Sequence, residues 1–132
     1  MAAEPKGVDL YGKCPYATAQ RMLQGKWTIL IMHHLEAGPV RFNELQRRLP
    51  QMTHATLSKQ LKQMEADGLI RRTEVPGKVL HVEYELADLG RAFAPVLAEI
   101  KIWGTKAIAR MNAEASRSTA QPAREKPLNA SR

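Results

Sequence analysis

The side chains with chemistry to offer are cations and hydroxyls, not acid–base pairs or metal ligands. Between Thr53 and Asp67, Leu57, Leu61 and Met64 recur on one side of a helical repeat, which leaves His54, Ala55, Ser58, Lys59 and Lys62 on the other. A helix fits the major groove of B-DNA, and only its outward face reaches base edges. On such a face Ser58 can bond a base or a phosphate, and Ala55 can meet a thymine methyl. Lys59 can read guanine or touch phosphate, Lys62 favours a phosphate contact, and an ordinary solvated face would carry the same residues. Arg41, Arg47 and Arg48 flank the preceding short helix and can pin a backbone. Arg71 and Arg72 are neighbours on an extended segment, so they point to opposite faces. Lys78 sits at the tip of a hairpin, where a minor groove or phosphate is in reach, and His81 follows it. Phosphate contacts position a protein without specifying sequence.

Other chemistries find little support. His33 and His34 are adjacent on a helix and do not share a face. Together with His54 and His81 they form no metal-ligand spacing. No phosphate loop, dinucleotide fingerprint or nucleophile elbow occurs. Glu83 and Glu85 share a strand face, with no partner acid implied. The reading is therefore of a protein without catalytic residues, metal or cofactor. Cys14 is the single cysteine, which excludes an intrachain disulfide. It leaves an intermolecular disulfide or a reactive thiol. Cys14 precedes Pro15 at the start of a helix beside Lys13, and such positive surroundings activate a thiol. A buried, inert cysteine fits the same residue.

These residues need a scaffold. The chain has 132 residues, 44% of them hydrophobic, enough for one domain with a core. Lys and Arg number 20 against 13 Asp and Glu, a net charge of +7, and a basic small domain points to a polyanion. No run approaches the roughly 18 apolar residues of a membrane span, and the start is not a signal peptide. A cytoplasmic protein, nucleoid-associated when bound to DNA, is expected. Tyr16 to Leu23 reads as a short helix that Gly25 interrupts. Trp27, Leu30, Ile31 and Leu35 then mark one helical face, stopped by Gly38 and Pro39. Asn43 and Gln46 have the spacing of a capping box, with Leu45 and Leu49 as the buried face before Pro50. Thr53 caps the next helix and Gly68 ends it. After Gly68 the period becomes two. Leu69–Val75 and Val79–Leu86 flank a turn at Pro76-Gly77-Lys78. Two close helices followed by a hairpin suggest a winged helix. A last helix starts near Asp88 and carries Pro95 inside it as a kink. Residues 1–13 read as a flexible arm and 110–132 as a disordered basic tail.

The order Cys14-Pro15, Gly25-Lys26-Trp27-Thr28, Arg41-Phe42-Asn43-Glu44-Leu45, Leu57-x-x-x-Leu61, Glu65-x-x-Gly68-Leu69, Glu83-Tyr84 and Leu89-Gly90 resembles the HxlR-type winged-helix transcriptional regulators. The resemblance covers roughly residues 14–104. It implies a mainly α fold with a small β-hairpin wing (α+β), a winged helix-turn-helix with extra N- and C-terminal dimerisation helices, in one domain at 14–109. It implies a bacterial or archaeal homodimer on double-stranded DNA. The face Phe93, Val96, Leu97, Ile100 and Trp103 then serves both the core and a partner subunit. Some relatives sense oxidants or electrophiles through a cysteine near the position of Cys14, and an effector could also bind at the dimer interface. The expected function is a sequence-specific regulator on a palindromic operator. A winged-helix module for protein or RNA contacts, or a nonspecific DNA-binding protein, would carry the same pattern.

Overall fold

A computed structural model describes residues 9–120 of the protein. The elements are α1 (Pro15–Met22), α2 (Thr28–His34), β1 (Val40–Arg41), α3 (Phe42–Arg48), α4 (His54–Ala66), β2 (Ile70–Val75), β3 (His81–Leu86), α5 (Asp88–Arg91) and α6 (Ala94–Ala120). They form two compact units, divided between Ala94 and Pro95.

The first unit is built on α4. Thr53 Oγ1 accepts the Thr56 N–H at 3.1 Å, which satisfies one of the free donors at the helix start. At the other end Gly68 takes φ +81°, a conformation that costs an L side chain about 1–2 kcal/mol. The Gly68 N–H donates to the Glu65 carbonyl and the Leu69 N–H to that of Met64. These two hydrogen bonds close the helix and turn the chain into β2. Leu57, Leu61 and Met64 are buried with Ile31, Met32 and Leu35 of the α2 segment and Leu45 and Leu49 of the α3 segment. Each such side chain contributes about 1.5–3 kcal/mol of burial. The predicted pattern holds here except at Leu30, which is exposed, and Trp27, which is half-buried.

β2 and β3 pair antiparallel, with Arg72 opposite Tyr84 and Arg71 opposite Glu85. The hairpin wing is joined by a strand that the sequence reading did not include. β1 pairs with β3 through Val40–Tyr84 and Arg41–Glu83, giving the order β1-β3-β2. That pairing moves the start of α3. Arg41 stands at the cap position, the helix begins at Phe42, and Asn43 lies inside it rather than capping it. Gln46 forms no capping box. Its side-chain amide donates to the Met52 carbonyl at 2.7 Å and ties the turn between α3 and α4.

Three other expectations change. Pro95 does not kink a continuous helix. α5 ends at Arg91, and Pro95 falls in the first turn of α6, where a missing N–H costs nothing. The tail expected to be disordered from 110 is helical as far as Ala120. Alanines at 109, 113, 115 and 120 favour that helix, and Arg110 bonds Glu114 one turn on at 3.1 Å. The segment from Asp9 to Lys13 is not a loose arm either. Asp9 Oδ1 accepts from the Tyr11 N–H and from Arg21, whose guanidinium lies 4.3 Å from the centre of the Tyr11 ring. The remaining parts of the expected arm and tail, residues 1–8 and 121–132, lie outside the described residues.

Candidate nucleic-acid interface

The inward residues of α4 fix what its other face presents. With Leu57, Leu61 and Met64 in the core, His54, Ala55, Lys59 and Lys62 are exposed and Ser58 is half-buried. No ion-pair partner holds Lys59 or Lys62 among the described residues. His54 is the first residue of the helix and is supported from behind, its ring 4.7 Å from that of Phe42.

This face continues into a cleft of about 490 Å³ between α4 and the sheet. One wall is His54, Ser58, Lys62 and Glu65, the other Arg72, Val82 and Tyr84, with Phe42 at one side. Four of these residues, Phe42, Glu65, Val82 and Tyr84, were not among the site residues expected from sequence. The alternation of Val82, Tyr84 and Leu86 located their strand face but not what it would meet. Arg72 pairs with Glu74 at 3.4 Å, and the Tyr84 hydroxyl, and after it Glu74, hold its guanidinium above its ordinary value.

The hairpin register separates the other cations. Arg71 lies on the sheet face opposite to Arg72, with its guanidinium 3.2 Å from Glu85. His81 shares that opposite face and sits 3.2 Å from Glu83. Arg47 and Arg48 both bond Glu44, and these two hydrogen bonds hold the Glu44 carboxyl below its ordinary range. Arg48 also donates to the His34 carbonyl at 3.3 Å, linking α3 to α2. Arg41 is exposed at the start of α3. Lys78 is exposed in the hairpin loop, followed by the exposed Val79 and Leu80. Thus Lys59, Lys62 and Lys78 have no carboxylate partner among the described residues, while Arg47, Arg48, Arg71, Arg72 and His81 are engaged with carboxylates, Arg72 with Glu74 at 3.4 Å.

Cys14 is a half-buried free thiol at the cap of α1, where Pro15 begins the helix. On α6, Val96 is exposed and Trp103 is 73% exposed, whereas Leu97 is buried. Ile100 and Phe93 are half-buried. Ile108 and Met111 extend the exposed apolar surface of α6. Among the described residues no helix is long and apolar enough to cross a membrane, and no cluster of three or more His, Cys, Asp or Glu could hold a metal.

Known proteins share this arrangement. The HxlR-like helix-turn-helix family matches residues 22–112. An HTH-type transcriptional regulator of Halalkalibacterium halodurans is 42% identical over 106 residues, covering 79% of this chain and 94% of the relative. The HTH-type transcriptional regulator YdeP of Bacillus subtilis is 39% identical over 101 residues, covering 74% and 77%. Among solved structures, the reduced form of the redox regulator HypR superposes with a TM-score of 0.69 at 31% identity, covering 75% of this chain and 98% of that one. The reduced form of the transcriptional regulator YodB from Bacillus subtilis gives 0.62 at 32% identity, covering 68% and 89%. These relatives are regulators and not enzymes, their fold has the same winged-helix layout, and the match spans most of the described chain. This chain is a transcriptional regulator belonging to the HxlR-like helix-turn-helix family.

Proposed function

We propose that the protein acts as a homodimer on a palindromic site in double-stranded DNA. The outer face of α4 enters the major groove, and the cleft beside it straddles the sugar-phosphate backbone. The observation that carries this reading is the pair of exposed cations on the outer face of α4, Lys59 and Lys62, which have no ion-pair partner among the described residues, with Lys62 sharing the cleft with Arg72. His54, Ala55 and Ser58 occupy the N-terminal end of α4, the part of a recognition helix that meets base edges. They carry sequence preference. Lys62, Arg72 and Lys78 bind phosphate and set register. Arg41 adds a backbone contact at the start of α3. Arg47, Arg48, Arg71 and His81 act indirectly, through the carboxylates they hold.

The dimer is proposed to form through the α6 face around Val96, Ile100 and Trp103, with Phe93 at its edge. An indole left 73% exposed on an apolar stripe is what supports this. Two α4 helices would then meet half-sites about 34 Å apart. Cys14 is assigned a redox response, supported by the likeness to HypR, a redox regulator, and to YodB, whose solved structures include diamide-treated and quinone-bound forms.

The test is to select genomic fragments that the full chain retains at near-physiological salt with competitor DNA. Recovery of one palindromic sequence is the expected result. Uniform binding that collapses as salt rises would reduce the interaction to the +7 charge and contradict the reading. Repeating the selection after mild oxidation, with Cys14→Ser alongside, tests the thiol. Release by the wild type alone is expected, and identical behaviour of the two proteins refutes the redox role.

A further inference from the structure

The tip of the hairpin carries two largely exposed aliphatic side chains. Val79 is 77% exposed and Leu80 62% exposed, and both follow directly on the exposed Lys78. Two side chains are far too few for a stable protein interface, which takes about 800 Å² per partner. They are enough for another task. Apolar wedges of this size enter the minor groove, part a base step and kink the duplex.

The placement fits that task. Arg72 lines the cleft beside α4, and β2 runs on from Arg72 to Val75 before the loop at 76–80. Three strand residues carry the chain roughly 10 Å further. A sugar-phosphate ridge held in the cleft has the major groove on the α4 side and the minor groove, about 6 Å wide, on the other. A loop about 10 Å beyond Arg72 is within reach of that second side, and Lys78 brings the charge that a phosphate-lined groove attracts. Resting on the DNA-binding reading above, we infer that Val79 and Leu80 form a minor-groove wedge that unstacks one base step per half-site and bends the bound DNA.

The test uses the full chain and a genomic fragment that it retains, trimmed to a short duplex. 2-Aminopurine is placed at successive positions, and fluorophores at the two ends report bending. The wild type should raise 2-aminopurine fluorescence several-fold at one step in each half-site and bend the duplex by about 20–90°. The variant Val79→Ser/Leu80→Ser changes only exposed side chains and keeps Lys78. It should lose both signals and bind about tenfold more weakly, with the same dependence on salt. A double variant that unstacks and bends like the wild type overturns the wedge while leaving the DNA-binding reading intact. So does a wild type that binds without unstacking. Loss of self-association in the double variant would make the tip a protein contact and also overturn it. If the wild type retains no fragment at all, the DNA-binding reading fails and the wedge falls with it.

Discussion

Replacing Lys62 by Gln removes one charge from the cleft wall and leaves the α4 core residues untouched. Lys62 is exposed and has no ion-pair partner among the described residues, so its ammonium is available to a phosphate. Each phosphate neutralised contributes a slope of about 0.9 to the fall of log affinity with log salt. A homodimer loses two such contacts, so the slope should become shallower by about 1.8. Between roughly 50 and 200 mM salt, a fourfold change, the wild type should lose about twelvefold more affinity than Lys62→Gln. The variant is weaker at low salt, and the two curves converge as salt rises. Fluorescence anisotropy on a retained fragment across that range measures both slopes. Arg71→Gln is the control, because Arg71 faces the other side of the sheet and is held by Glu85. Its slope should match the wild type. If Lys62→Gln leaves the slope unchanged, or Arg71→Gln shifts it as much, the assignment of phosphate contacts to the cleft is wrong.

Trp103→Ala should weaken the dimer by about tenfold to a hundredfold, the loss expected of a central aromatic anchor, while the monomer melts close to the wild-type temperature. Analytical ultracentrifugation separates the two effects. Gly90→Ala should destabilise the first unit by about 1–3 kcal/mol or more, because the new Cβ would collide with the Leu69 carbonyl oxygen and lie 3.1 Å from Leu86 Cδ2. That carbonyl also accepts the Ala87 N–H, so the backbone cannot move away freely. A drop in melting temperature of about 4–8 °C per kcal/mol should be seen by calorimetry. Burial first, then His33 and Arg48, lower His34 below its ordinary 6.5. The unfolded chain therefore takes up this proton more readily than the folded one. The His34 contribution is complete above pH 6.5 and is lost as pH falls below it. Melting curves of His34→Gln should flatten in that window, and an unchanged profile would refute the assignment.

What could be read from the sequence was mostly local. The cap at Thr53, the buried set Leu57, Leu61 and Met64 and the stop at Gly68 are signals within one helix, and all three hold. β1 was hidden because two residues have no period of their own. Val40 and Arg41 become a strand only when β3, far along the chain, lies beside them. The same pairing displaces Asn43 from the cap that its spacing favours. Pro95 reads from sequence as a kink inside the last helix because composition does not say whether a proline lies inside a helix or opens one. The cleft was illegible for a related reason, since Phe42, Lys62 and Tyr84 come from three elements. Counting basic residues also overstated the positive surface. Glu44, Glu74 and Glu85 occupy four of the arginines expected at the site, and only the register and the side-chain spacing reveal it.

In the proposed complex two copies of α4 read the same duplex from one side. A hydroxyl-radical footprint of the wild-type protein on a retained fragment addresses it most directly. Two protected patches related by a dyad are expected, on one face of the DNA, with centres about one helical turn or 34 Å apart. A single unpaired patch, or protection spread evenly along the fragment, would contradict it.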